Sequence, residues 1–281
     1  MYNNKLEKVL KGYHKEDKMK KCFLLMPVLA SMMFSCSTDD VSTTNVSGLN
    51  QKVTLNAPIQ KGNGTRVVET ADAEAGLKTS WDSNDQLAVL LANNGVVMMS
   101  KSTSENNFEA SVSSDDAAEF SSGKTVYGVN SNSQITITNA TGVLNAKVNF
   151  TGQDGSLVNI AKYDLMYGTG DPTQSLTFNH QICVMKLDLK SDLLAGNITS
   201  ADFSFIPSSE GALFATDATW SFGSAGKSIV ATDASSLALS SPSIPVSSDG
   251  TTKSATIYVA VPVRTNLTGT LILNLSCTDG S

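Results

Sequence analysis

Histidine, cysteine and tryptophan are all scarce in this chain of 281 residues, numbering two, four and two. Each scarcity closes off a class of chemistry. Once residues 1–35 are set aside as a leader, His180 is the only histidine left, so a catalytic or metal-binding imidazole would lack a second ring as partner. There is no Cys-x-x-Cys pair, which removes support for a structural zinc site. Gly-x-Ser-x-Gly, His-Glu-x-x-His and a Walker phosphate loop are missing as well. We therefore expect no enzymatic activity, no cofactor and no metal; paired carboxylates for glycoside hydrolysis meet in space and leave no trace along a chain. Trp81 and Trp220 are too few for an extended platform on which sugar rings stack, and Trp220, alternating with Phe222, reads as buried. Stretches with helical spacing are nearly absent.

What is present begins with one apolar run. Lys20 and Lys21 precede Cys22–Phe34, which holds 13 residues without a charge. A bilayer-spanning helix needs about 20 residues, so the run is too short to span and suits the apolar region of a secretory signal. Ser35 sets a small residue before Cys36, which resembles a bacterial lipobox and implies lipidation of Cys36 as the mature N-terminus. Met33 and Phe34 depart from the usual Leu and small residue, and the bland alternative is an unlipidated signal with a chance cysteine. Several acyl chains on one cysteine, at about 0.8 kcal/mol per buried methylene, would hold the protein on a membrane. Residues 1–18 carry charges of both signs and read as a mis-called extension ahead of a true start at Met19. Residues 19–35 are then the signal peptide and 36–47 a flexible tether.

Residues 1–35 contain seven of the 20 basic and three of the 26 acidic residues, leaving 13 against 23, a net −10. That excess argues against nucleic acid or an anionic membrane surface as partner, since nothing would offset phosphate repulsion. Cys183 and Cys277 sit among apolar residues of strand-like segments, 94 positions apart. Two buried thiols and one long-range disulfide are the alternatives, of which the first is favoured.

Alternation governs the rest. Val53, Leu55, Ala57 and Ile59 share one face; so do Leu144, Ala146, Val148 and Phe150, then Ile257, Val259 and Val261, then Leu271, Leu273, Leu275 and Cys277. A period of two marks half-buried strands. Asn94-Gly95, Asp154-Gly155, Asp249-Gly250 and Asp279-Gly280 supply turn signals between them. The fold class is all-β, an antiparallel sandwich architecture. Gly, Asp and Pro at Tyr167–Thr173 mark a boundary between segments 48–168 and 169–281, each about the size of one sandwich.

Three motifs then carry a resemblance. Thr65-Arg66, a spacer and Thr79-Ser-Trp81-Asp82-Ser-Asn84-Asp85-Gln-Leu-Ala-Val89 resemble an early fimbrillin signature, with Asn84 where Gly is usual. Ser175-Leu-Thr-Phe-Asn-His180-Gln-Ile-Cys-Val-Met-Lys-Leu is similar to the strand opening the family's second domain. Ala255-Thr-Ile-Tyr-Val-Ala-Val-Pro262-Val is similar to a late family strand. The fimbrillins are subunits of the type V pili of Bacteroidia. In that group acidic residues after the lipid site, here Asp39 and Asp40, resemble the signal for the outer face of the outer membrane.

The resemblance implies two tandem transthyretin-like, Greek-key sandwiches and a structural subunit of an adhesive surface fimbria. Whether such a subunit is shaft, anchor or tip is left open. Partners would be other fimbrial subunits, with a host or bacterial surface ligand beyond them. Assembly would proceed by donor-strand exchange: a protease cuts after Arg66, or Lys61, releases the strand carrying Val53, Leu55, Ala57 and Ile59, and a neighbour's strand fills the groove. Arg66 read blandly is an ordinary surface residue of a Gly-rich connection. Asp82 and Asp85 are expected to bond backbone N–H groups of a turn, with calcium the sharper alternative. His180 is expected as a hydrogen-bonded core histidine sharing a face with Phe178, Ile182 and Val184. A strand at Leu271–Cys277 without a return strand implies either a truncated sequence or a subunit that accepts a strand and donates none. The competing function is a glycan-binding surface lipoprotein.

Overall fold

A computed structural model describes residues 50–60, 80–208, 210–264 and 266–278. In chain order, β1 (Gln51–Asn56), β2 (Gln86–Leu90), β3 (Val96–Lys101) and β4 (Asn107–Val112) lead to helix α1 (Ser114–Phe120). Then come β5 (Val126–Ser131), β6 (Ile135–Ala140), β7 (Val143–Asn149), the single turn α2 (Leu157–Ile160), β8 (Met166–Gly170) and β9 (Asn179–His180). The last elements are β10 (Ile182–Lys190), β11 (Asn197–Pro207), β12 (Phe214–Gly223), β13 (Gly226–Ala234), β14 (Ser236–Ala238), β15 (Ile244–Pro245), β16 (Ser247–Ser248), β17 (Lys253–Pro262) and β18 (Gly269–Cys277). The protein is all-β, as its alternation predicts, and every pair of described strands is antiparallel.

Among the described residues, the strands form four sheets. The first has seven strands in the order β1-β4-β3-β2-β5-β8-β9. The second runs β13-β12-β7-β6, the third β10-β17-β16, and the fourth groups β14, β15 and β18 around β11. The expected boundary near Tyr167–Thr173 falls on β8 and the turn after it, and pairing runs across it: Ala146 on β7 lies opposite Trp220 on β12. Two sheets are thus shared by the two segments of sequence, the second through β7 and β12 and the first through β9 at its edge.

Three cores separate the layers. In β2 both faces are covered, so Leu87-Ala-Val-Leu90 is a continuous apolar run instead of an alternating one. Leu87 and Val89 enter the first core with Phe108, Val126 and Phe178. Ala88 and Leu90 face the second core, with Leu144, Ala146, Val148, Phe150, Trp220 and Phe222. The third lies between the third and fourth sheets, around Ile198, Phe203, Phe214, Ile257, Val259 and Val261. Trp220 is 2% exposed, as its alternation with Phe222 implies.

Both helices come from short capping signals that a search for helical periodicity passes over. Ser113 accepts a hydrogen bond from the Asp116 backbone, Asp115 and Asp116 fill the positive first turn, and Ala117 and Phe120 enter the first core. Ser156 caps α2 in the same way. Among the turn signals, Asn94 takes a positive φ of 69° between β2 and β3, and Gly250 one of 87° before β17. Asp154-Gly155 joins β7 to α2 and makes no hairpin. Asp279-Gly280 lies outside the described residues.

Candidate functional site

The first ribbon, residues 50–60, is the region that the sequence singles out, and its surroundings define the candidate site. β1 pairs with β4 along its length, Gln51 opposite Val112 through Asn56 opposite Asn107. Beyond β1 the chain keeps bonding on its other flank. Leu176 N–H donates to Asn56 O at 2.8 Å, Phe178 N–H to Pro58 O at 2.8 Å, and Gln60 N–H to Phe178 O at 2.7 Å. Proline cannot donate, and this parallel bridge asks no donor of residue 58. Residues 176–178 lead directly into β9, the far edge of the first sheet. Backbone hydrogen bonds therefore join the sheet's two ends through the ribbon.

Side chains follow the same plan. Leu55 and Ala57 are fully buried, Ile59 is buried, and Val53 packs against the same core half-exposed. The four residues expected on one apolar face thus all face the first core. Trp81 covers them: its indole N–H donates to Ala57 O, and its ring meets Phe108 and Phe178 edge-on at 5.0 and 5.5 Å. Phe178 in turn lies over two facing glycines, Gly128 on β5 and Gly168 on β8. A Cβ at either would approach the ring to 2.7 and 2.8 Å, so no other residue fits without displacing it. At the surface, Lys52 pairs with Glu109 at 2.8 Å, and Asn56 accepts from Ser175 and donates to Asn107.

Asp82 and Asp85 behave as turn residues. The Asp85 carboxylate accepts the Asp82 N–H at 2.7 Å, and Asp85 N–H returns a bond to Asp82 O at 3.0 Å. This turn delivers Trp81 to the core and β2 to the sheet.

His180 Nδ1 lies 2.8 Å from Asp164 Oδ1, a fully buried carboxylate that sequence reading passes over. Asn130 bonds the Asp164 backbone carbonyl at 2.8 Å and accepts from Met166 N–H at 2.7 Å, holding this corner in place. The expectation that Phe178, His180, Ile182 and Val184 share a face fails. Phe178 enters the first core, whereas Ile182 and Val184 pack with the second. At Gln181 the chain leaves the first sheet and donates to Leu165 O, and that crossing resets the alternation. Gln153 is a second buried polar tie missed by sequence: it bonds Phe150 O and both backbone groups of Ala260.

Cys183 and Cys277 pack against the third core half-buried, less covered than the buried thiols expected. Among the described residues no disulfide joins them. Trp81 and Trp220, at 7% and 2% exposure, offer neither ring to a sugar. Among the described residues, three groups have shifted acidities. Burial, with a smaller contribution from Asp154, pushes the Tyr163 hydroxyl up to about 12. Burial also raises Tyr167, and backbone N–H bonds from Thr252 and Thr251 lower the exposed Asp249. No described helix is long and apolar enough to cross a membrane, and no described cluster of His, Cys, Asp and Glu could hold a metal ion. The lipidation residue Cys36 and the cleavage candidates Lys61 and Arg66 lie outside the described residues.

The chain matches no protein-family model and no curated relative. Among solved structures it is similar to a candidate cell adhesion protein from Bacteroides ovatus ATCC 8483. That likeness has a TM-score of 0.49 and 15% identity over 82% of this chain and 84% of that one. It is also similar to a candidate adhesin from the same organism, with a TM-score of 0.35 and 10% identity over 87% and 83% of the two chains.

Proposed function

We propose that this chain is an exported, lipid-anchored structural subunit of a fimbrillin-type surface filament, acting in adhesion and assembled by exchange of its first ribbon. The observation that carries the reading is the ribbon's setting. Residues 50–60 fill a slot bonded on two flanks, by β4 on one and by residues 176–178 on the other. Removing them would leave two unpaired strand edges facing one apolar trough, which is a better acceptor than a single free edge.

The magnitudes favour exchange over simple loss. Burying Leu55 and Ile59 contributes about 2 kcal/mol each, and every backbone bond adds about 1 kcal/mol. A ribbon held this firmly stays in place until it is cut and another strand replaces it. In this scheme cleavage after Arg66, or Lys61, frees the ribbon. Cys36 holds the precursor at the outer membrane, other subunits of the filament supply the replacement strand, and neither a cofactor nor catalysis by this chain is involved.

Mass spectrometry of the mature N-terminus in surface-assembled protein tests the scheme. Polymer beginning at residue 67, with loss of assembly in Arg66→Ala, is the expected result. Polymer that retains Val53–Ile59 overturns it. Metabolic labelling with palmitate, lost in Cys36→Ser, tests the anchor separately.

A further inference from the structure

Among the described residues, the sandwich of third and fourth sheets is closed on one side and open on the other. β18 lies opposite β11 from Ile198 to Pro207, so β14 and β15 must occupy the other flank of β11. From there the chain steps from β15 to β16 through Val246 and joins the third sheet, which closes that side. On the opposite side β18 ends the fourth sheet, and its outer edge has no partner among the described residues. Its inward row, Leu271, Leu273 and Leu275, is only half-buried, as are Met185, Leu187 and Leu189 on β10 across the third core.

An edge of this kind is normally guarded. β10 carries Lys186, Asp188 and Lys190 on its outward face, and β13, an edge of the second sheet, carries Lys227 and Asp233. β6 has no charge but is tied to the β2–β3 turn through Asn139 and Asn94 O at 3.4 Å. β18 reads GTLILNLSC: nine residues with neither a charge nor a proline. The one register shift in its pairing puts the extra residue, Thr199, on β11, so β18 itself is unbulged. In a chain of net −6, it is a neutral stripe where two acidic copies approach without repulsion.

We infer that β18 pairs antiparallel with β18 of a second copy, around a two-fold axis at Leu273. The strand is self-complementary in that register. Leu271 meets Leu275 of the second copy, and Thr270 meets its Ser276. Ile272, now 38% exposed, lies opposite Asn274 of the second copy and diagonal to that copy's Ile272. Every inward residue faces an inward one, because the axis passes through a residue and preserves the alternation. The two fourth sheets become continuous, and each copy covers the other's half-exposed leucines. The contact is isologous, so it closes as a dimer and leaves no β18 edge free to propagate. It uses the fourth sheet, whereas the first ribbon belongs to the first, and is independent of strand exchange.

Cross-linking and sedimentation of the full chain in detergent test this. In a Cys183→Ser, Cys277→Ser background, Leu273→Cys should form a covalent dimer on oxidation, since Cα atoms opposite one another lie about 4.5–5.5 Å apart, within disulfide reach. The same background with Leu273 intact, and with Leu187→Cys, should stay monomeric on denaturing gels. Ile272→Lys, on the solvent face, should keep the thermal midpoint and weaken the dimer about tenfold or more in Kd. A wild-type chain that sediments as a monomer up to about 100 μM overturns the proposal. So does a dimer that neither cross-links at 273 nor responds to Ile272→Lys. A monomer whose β18 amides resist hydrogen exchange would place another segment of the same chain on this edge, and overturns it too.

Discussion

The first and last ribbons of the molecule look alike on paper and differ in the fold. Val53, Leu55, Ala57 and Ile59 alternate as regularly as Leu271, Leu273, Leu275 and Cys277. Yet Leu55 and Ala57 are wholly buried, whereas the second set is half-exposed throughout. The cause is the number of flanks. The first ribbon has backbone partners on both sides and Trp81 above it; among the described residues β18 pairs with β11 alone. Alternation therefore reports which face of a strand is apolar and says nothing about how many neighbours cover it.

Paired truncations give the sharpest contrast. Leu55→Ala should cost about 3 kcal/mol in chemical denaturation, because a closed core cannot collapse around the lost atoms, and Leu273→Ala about 1 kcal/mol. Equal losses would erase the distinction between the ribbons. Next in size, Gly168→Ala drives a Cβ into the Phe178 ring and should cost about 2 kcal/mol. Hydrogen exchange should then speed up at residues 57–60 and stay unchanged along β18. Trp81→Phe keeps most of the apolar body but removes the bond to Ala57 O, for a loss of about 1 kcal/mol. If Trp81→Phe is as costly as Leu55→Ala, the indole is a larger part of the lock than its geometry implies.

The smallest effect concerns what lies between the ribbons. Tyr163 is in the second core, and its pKa is pushed up to about 12 in the folded protein from 10.0. The folded state holds this proton more tightly, so the stability it confers is complete below pH 10.0 and fades as pH rises towards about 12. Denaturation of Tyr163→Phe should show a shallower loss across that window. Should the two ribbons melt in separate transitions, only the transition that includes the second core will carry this alkaline slope.

Much of this architecture was legible because strand periodicity is local. The sets 144–150 and 257–261 are buried as their spacing predicts, and Asp85 bonds its own turn. The relations that define the candidate site are not local. Ser175 bonds Asn56 at a separation of 119 residues, and β7 finds β12 across the expected boundary. No period in a sequence encodes either. Asp164 looked like one more acidic residue until the fold placed His180 against it, and α1 was announced only by Ser113 ahead of a seven-residue helix and two aspartates in its first turn.

The window of two glycines beneath Phe178 has a consequence for how the chain finds its register. Gly128 and Gly168 face each other across β5 and β8, and the ring rests where both lack a side chain. Sliding β5 by two residues preserves which face is apolar but brings Val126 or Asn130 under the ring; sliding β8 brings Met166 one way and Gly170 the other. The aromatic then behaves as a key that refuses three of these four near-miss alignments by shape, before hydrophobicity can tell them apart, and only the slide to Gly170 passes it.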